Sequence, residues 1–576
     1  MAEVRQVNEG IRYEPEDKCP RSVAILSAVQ MASPNIVMVV VFTTVVIRSS
    51  GETGAYLPWA VFMALITCGF TSIIQAFRGR IGTGLLILTG FNIPFIAIST
   101  LALEKGGPGL LAMLTVVSTL VQLVLTMYLP LLRRIFTRTV SGTIVMLVAA
   151  TAAPFLFNDV VKSTQDLPVD RVIATLTISL LVGVLIILRA PQIWRLWIVG
   201  ITILAGLLVA VPLGLYDNSG VVEAAYIGFP VPVWEGLDLT FGVEFWGLLP
   251  AFIFVGLVTF VKAVGDIGVI QRASHREVQA QDFRVVQGGL NAYSVGNLIV
   301  GFLGIPSATT PWALTATYVS LTGVATRIVG VYMGLFMVGV AFLPKLGAFL
   351  IAIPSPVLAA VYIIVFGGLF VEGAKVAFDD KIDHRKSIVI AVSIMVGLSS
   401  GSIAGFFDGF VHELLDSGVT VGSLTVIGMT LLVELTGSRR RKIQVPLELS
   451  ALPAIDEFLV AFAEKYGWTE SGQYRLRSVG EEMLVSLVTQ DEKESSSTSR
   501  QLIMGIRMDD GVAEVEFLAA SDGENIEDQI AYLGEDAYAE DDHEFSIRLL
   551  RHYASSVHHR KYEGIDVITA RVENAM

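Results

Sequence analysis

Lys262 and Asp266 sit four residues apart in an otherwise apolar run, Phe254–Ile270. That spacing puts both side chains on one face of a helix. A lysine at membrane depth costs on the order of 3 kcal/mol on insertion scales, so it should face a bundle interior or water. There its ammonium can serve a solute or the solute's counter-charge, or it can simply neutralise Asp266. The two roles are compatible if solute competes for the pair. Gln30, within Ala28-Val29-Gln30-Met31, is a second polar group in an apolar run. A buried amide can orient the donor and acceptor edges of a heterocycle, or equally satisfy a neighbouring helix.

Two further stretches carry helix-breaking residues. One is Leu88-Thr89-Gly90-Phe91-Asn92-Ile93-Pro94-Phe95, and the other runs Ser307-Ala308-Thr309-Thr310-Pro311-Trp312-Ala313-Leu314-Thr315. Such breaks should free backbone amides and carbonyls at membrane depth, which is tolerable only where they line a cavity or bind something. Broken helices at corresponding places in two halves of a chain point to a midplane solute site between inverted repeats. Asn92, Phe95, Trp312, Leu314 and Thr315 therefore join Lys262, Asp266 and Gln30 as candidate solute-binding residues.

The elements that must hold these residues are membrane helices. A hydrocarbon layer of ~30 Å needs about 20 mostly apolar residues per helix. The chain has 576 residues, is 53% hydrophobic and has a mean hydropathy of +0.65. Apolar stretches begin near Ser22, Tyr56, Gly82, Gly109, Thr139, Val172, Leu196, Phe245, Gly289, Trp312, Ile328, Val357, Ser387 and Val419. The expectation is a polytopic α-helical membrane protein of 14 spans, with the first break in span three and the second at span ten. Three is to the first seven spans what ten is to the last seven.

An even number of spans places both termini on one side. The connections on that side gather most of the basic residues, including Arg78, Arg80, Arg133–Arg138, Arg272–Arg284 and Lys375–Lys386. The opposite connections carry Arg48, Lys105, Lys162, Arg171 and Lys345. The positive-inside rule makes the basic side cytoplasmic, in a plasma (inner) membrane. Asp408, His412, Glu413 and Asp416 surround the turn before the last span, which is expected to be a solvated outer loop. Residues 1–21 form a polar, charged cytoplasmic lead with no cleavable signal pattern. Residues 22–437 form the transmembrane domain, 438–445 a basic linker and 446–576 a cytoplasmic domain.

The net charge of −13 is concentrated at the end of the chain: after Gly437 there are 27 Asp/Glu against 15 Lys/Arg. An acidic tail is repelled by anionic lipid head groups and by nucleic acid. Cys19 and Cys68 lie in the lead and inside a span, so no disulfide is expected. No phosphate-cradling loop followed by Lys-Ser/Thr, no paired metal-binding cysteines and no H-E-x-x-H occur. Neither an enzyme, nor a cofactor, nor a metal site is expected.

The membrane region resembles the nucleobase–ascorbate transporter (xanthine/uracil permease) family over essentially its whole length. The lead-in Ile11–Pro20, the fifth-span stretch Ser141-Gly142-Thr143 and the eighth-span stretch Val258–Ile270 each carry part of the resemblance. The specific part is Thr309–Arg327, ending Leu321-Thr322-Gly323-Val324-Ala325-Thr326-Arg327. The resemblance implies seven-plus-seven inverted spans in core and gate domains, a homodimer, and an elevator-like shift. The chain departs from the family at its pocket. The family's eighth-span glutamate falls on Lys262, its tenth-span acidic or amide residue on Leu314, the asparagine after it on Thr315, and its Gln-His pair on Gln30-Met31. A lysine in place of a carboxylate points to a solute more acidic or anionic than uracil, or to weakened coupling to H⁺ or Na⁺.

In the tail, Ala454–Tyr466 and Arg477–Thr489 have helical spacing, and Leu502–Met508 and Val512–Leu518 alternate like paired strands, with Gly511 suited to the hairpin between them. A helix over Ile547–Val557 and a strand over Ile565–Val572 follow, and Gln490–Arg500 is expected to be a loop. This order resembles the anti-sigma-factor branch of the histidine-kinase-like ATPase fold, with its nucleotide features poorly kept: Glu482 is followed by Ser486, and the lid reads Ser546-Ile-Arg-Leu. A regulatory module with a cytoplasmic protein partner is expected. The function expected is secondary transport of a nucleobase-like or related anionic solute. An anion channel or exchanger on the same scaffold, or a permease-derived sensor signalling through the tail, are the alternatives.

Overall fold

Apolar runs become helices here because a backbone in hydrocarbon has no water to bond and must satisfy itself. The computed structural model describes residues 10–52, 54–126, 138–163, 168–195, 197–233, 236–276, 282–378, 384–436, 441–493, 501–509, 512–519, 550, 552–562 and 565–574. Two units result, one of Gly10–Ile270 with Gln287–Leu431, the other including Gln271–Val286 and the chain from Leu432.

In the first unit, seven helices among the described residues are long and apolar enough to cross a bilayer, or up to nine if each bent pair is one span. They include Arg21–Ser49, Tyr56–Gln75, Val169–Arg189, Val243–Ser274 and Ser355–Ala377. Several of the fourteen expected spans take another form. Ile198–Ala210 has only 13 residues and Leu314–Thr322 nine. The expected third and fourth spans share the stretch Ile96–Thr126, broken at Gly106-Gly107-Pro108. Gly107 there has φ 63° and ψ −166°, a conformation that only glycine adopts at little cost. Arg327–Ala341 and Pro344–Ile351 meet at 81°.

The helices pack in two sets. Ser355–Ala377 lies chiefly on Arg138–Ser163 and also on Val169–Arg189 and Ile198–Ala210. Tyr56–Gln75 lies chiefly on Arg327–Ala341, and Arg21–Ser49 packs on both of these. Small residues allow the closest approaches. A Cβ on Gly142 would meet the Gly373 carbonyl at 2.6 Å, and one on Gly69 would meet the Gly334 carbonyl at 2.6 Å. Without a hydrophobic drive between helices in lipid, such close backbone contact is what holds them.

Two motifs distant in sequence are joined. The amides of Arg12 and Tyr13 donate to the Gly323 carbonyl at 2.8 and 3.1 Å, and Ala325 N–H donates to the Tyr13 carbonyl at 2.8 Å. Thr326 Oγ1 donates to the Asp17 carbonyl at 2.9 Å. The lead-in thus lies along Leu321–Arg327, the stretch that carried the most specific resemblance.

In the second unit, a five-stranded antiparallel sheet has the order β3-β4-β5-β7-β6, formed by Arg441–Pro446 (β3), Gln501–Asp509 (β4), Val512–Ala519 (β5), Ser556–Tyr562 (β6) and Ile565–Glu573 (β7). Strand period two puts Leu502, Met504 and Ile506, Val515 and Phe517, and Ile568, Ala570 and Val572 into one core. The helices Leu452–Lys465 and Glu470–Lys493 contribute Leu459, Phe462, Met483 and Leu487 to it. On β4 and β5, Arg507 and Glu514 stand opposite each other, 2.8 Å apart. Two expectations change. The strand β3 begins inside the stretch read as a linker, because Ile443 and Val445 can turn inward. The segment read as a helix over Ile547–Val557 ends in β6, since Ser556–Tyr562 pairs with β7. The helix Glu470–Lys493 also extends past Gln490, so the expected loop starts later. Gly511 and Ser546–Leu549 lie outside the described residues, as do 437–440 and 494–500 of the linker and loop.

Phe517 is fully buried in the tail core. Phe517→Ala should cost about 3–5 kcal/mol of tail stability. Hydrogen exchange of the full-length protein in detergent should show β4, β5 and β7 losing about 100-fold or more of their protection, with the Arg21–Ser49 helix unchanged.

Candidate functional site

The two broken stretches meet. Thr89–Gly90 (β1) pairs antiparallel with Thr310–Pro311 (β2), Thr89 opposite Pro311 and Gly90 opposite Thr310. Most backbone groups freed by the breaks find partners there. Trp312 N–H donates to the Leu88 carbonyl at 3.0 Å, and Asn92 N–H to the Ser307 carbonyl at 2.9 Å. Leu88 N–H donates to Thr315 Oγ1 at 3.0 Å, and the Trp312 indole to the Phe91 carbonyl at 3.3 Å. Asn35 Nδ2 and Cys68 Sγ both donate to the Thr89 carbonyl, at 2.8 and 2.9 Å. The expectation of free amides and carbonyls is corrected in this respect: a buried unpaired group costs about 1–3 kcal/mol, and here the breaks satisfy each other.

Around this contact lies a buried polar cluster. Asn92 Nδ2 donates to Tyr293 Oη at 3.0 Å, which is 3.3 Å from Thr259 Oγ1. Asn297 Oδ1 accepts from Ser307 Oγ at 2.6 Å and Thr309 Oγ1 at 2.7 Å. The helices Val243–Ser274 and Phe283–Leu303, which supply Thr259, Tyr293 and Asn297, thereby belong with the broken stretches.

Lys262 and Asp266 share a face of Val243–Ser274, as their spacing requires, with Nζ 3.2 Å from Oδ2. The Ala313 backbone lies near enough to act on the Asp266 carboxylate, which sets the pair beside the second break and its half-buried Trp312 and Leu314. Lys262 is 26% exposed and Asp266 11%. A third member comes from elsewhere: Glu372, on Ser355–Ala377, has Oε1 3.6 Å from Lys262 Nζ and is 51% exposed. One ammonium against two carboxylates gives the trio a formal charge of −1.

The other candidates take different positions. Thr315 is buried, with its hydroxyl used up between Leu88 and the Trp312 carbonyl. Phe95 is buried against Phe252, ring centroids 5.8 Å apart. Asn92 faces Tyr293, and its Oδ1 has no hydrogen-bond partner among the described residues. Gln30 is half-buried on Arg21–Ser49, more than a turn before Asn35. Asp416, expected in a solvated loop, pairs with Lys105 at 2.8 Å. A cleft of about 500 Å³ lies apart from these residues, lined by Ile36, Arg48, Val61, Leu343 and Leu350 among others.

Asn35, Tyr293, Asn297 and Glu372 were missed in the sequence. Glu372 had a signal, a single carboxylate in the apolar run from Val357 to Val376. Tyr293 and Asn297 had none, because tyrosine and asparagine are ordinary at helix positions and only the fold aims them at the breaks.

A side chain on Gly90 would meet the Trp312 ring at 2.7 Å and Asn35 Oδ1 at 2.8 Å. Gly90→Val should therefore part β1 from β2 and lower the apparent melting temperature of the purified protein by several degrees. Gly339→Ala, whose new methyl meets nothing within 4 Å, should cause no loss.

Comparison with known proteins identifies the family. The xanthine–uracil permease profile, described as a permease family, matches residues 22–405. The chain is 26% identical to the xanthine permease XanP of Escherichia coli K12, over 74% of this chain and 95% of that one. It is 26% identical to the uric acid permease PucJ of Bacillus subtilis, over 72% and 92%. Among solved structures, it is similar to the transmembrane domain of a cyanobacterium bicarbonate transporter, BicA, with a TM-score of 0.44 and 16% identity over 73% of this chain and 99% of that one. The chain belongs to the xanthine–uracil permease family: it is a multi-pass membrane transporter, not an enzyme.

Proposed function

We propose that this permease is a secondary transporter of an oxopurine- or uracil-type base, which it holds between Lys262, Asp266 and the second broken stretch. The carrying observation is that Asp266 pairs with Lys262 and lies beside the Ala313 backbone, so a cationic donor and an anionic acceptor stand together at the break. A lactam edge presents a carbonyl acceptor beside an N–H donor. Lys262 can donate to the first and Asp266 accept from the second. Trp312, half-buried alongside, offers an apolar face to a planar ring.

The transport cycle we infer is elevator-like alternating access. The helices tied to the broken stretches move as one body against the set built on Ser355–Ala377. Fourteen spans in seven-plus-seven inverted repeats, core and gate domains, a homodimer, and cytoplasmic termini in a plasma (inner) membrane complete this reading. So does a regulatory role for the tail, with a protein partner. Its supports are the paired breaks at corresponding places in the two halves and the basic residues of the alternate connections.

Full-length protein in proteoliposomes should take up radiolabelled xanthine or uracil saturably. Lys262→Ala and Asp266→Asn should each lower kcat/KM by about 10–100-fold, the range for a charged hydrogen bond of roughly 1.5–3 kcal/mol. Saturable uptake of neither base, or uptake indifferent to both substitutions, would overturn the reading.

A further inference from the structure

We propose that Glu372 is a specificity-determining carboxylate that screens Lys262, so that the site accepts neutral oxo-bases and rejects their monoanions. The inference rests on the transport reading and adds to it the charge state of the solute.

Lys262 alone would favour an anion. Among the described residues, however, two carboxylates stand within ion-pairing distance of its Nζ, at 3.2 and 3.6 Å. Asp266 is held by Lys262 beside the Ala313 backbone and is nearly buried. Glu372 is half-exposed, so of the two it is the group that an incoming solute meets. With both ionised, a monoanion entering beside Lys262 approaches a cluster of charge −1 and is repelled. A neutral lactam exchanges hydrogen bonds with Lys262 and Asp266 without adding charge.

The position of Glu372 is fixed by its neighbour. A Cβ on Gly373 would meet the Met146 amide at 2.8 Å and the Gly142 carbonyl at 2.9 Å. The helix therefore sits hard against Arg138–Ser163 at this point, and Glu372 is presented from a different helix from the one that carries Lys262. The screen depends on the two helices standing as they do here, and a relative shift that separates Glu372 from Lys262 removes it.

The test compares xanthine and urate on purified full-length protein, at a slightly acidic pH that leaves xanthine neutral and urate a monoanion. Equilibrium binding is measured for the wild type, Glu372→Gln and Glu372→Ala, each first confirmed monodisperse. The wild type should bind xanthine more tightly than urate. Each variant should shift the urate-to-xanthine affinity ratio at least tenfold towards urate, more so at low salt because exposed charges are screened by ions. A wild-type preference for urate, or an unchanged ratio with both solutes still bound, would overturn the inference and leave the transport reading standing. Binding of neither solute by the wild type would overturn the inference, and absence of uracil binding as well would overturn the transport reading with it.

Discussion

Backbone in hydrocarbon has no solvent to fall back on, and this constraint organises the transporter. Two segments leave the helical state near Gly90 and Pro311, and each would strand several amides and carbonyls. They avoid that cost by meeting, with β1 and β2 pairing and the flanking groups bonding across to Leu88, Phe91, Ser307 and Thr315. Asn35, Cys68 and Ser72 close the remaining positions around Thr89. The contact works only because Gly90 has no side chain, for the Trp312 ring occupies the space.

From that junction the site follows. Satisfied breaks are rigid, so residues attached to them are positioned rather than loosely presented. Asp266 lies beside the Ala313 backbone at the start of Leu314–Thr322, and it in turn holds Lys262. The cost of a lysine in a membrane helix is met within the protein, by one carboxylate on its own helix and one on Ser355–Ala377. That second carboxylate turns a local ion pair into a link between two helices. A transporter that works by relative movement of those helices would have to break and remake it.

Much of this was legible in the sequence, and the parts that were not share a cause. The breaks were legible because glycine, proline and threonine act locally on backbone geometry, whatever the fold. The Lys262–Asp266 pair was legible because helical periodicity alone places both on one face. Glu372, Asn35 and Tyr293 acquire meaning only through contacts between residues far apart in the chain, which periodicity does not encode. Short and split spans were harder, because hydropathy counts apolar residues and does not locate the Gly106–Gly107 break or the 81° bend after Ala341. In the tail, the expected helix over Ile547–Val557 overlaps only the first two residues of β6; the rest went unassigned, because His558, His559 and Arg560 carry no strand pattern of their own and are recruited by pairing with β7.

The central claim is that a solute sits where Lys262 and Asp266 meet the second broken stretch. A cryo-EM map of the full-length protein with xanthine bound tests it most directly. The account predicts planar density within hydrogen-bond reach of Lys262 Nζ and the Asp266 carboxylate, beside Trp312. Density confined to the cleft beside Arg48, with Lys262 turned to lipid, would contradict it.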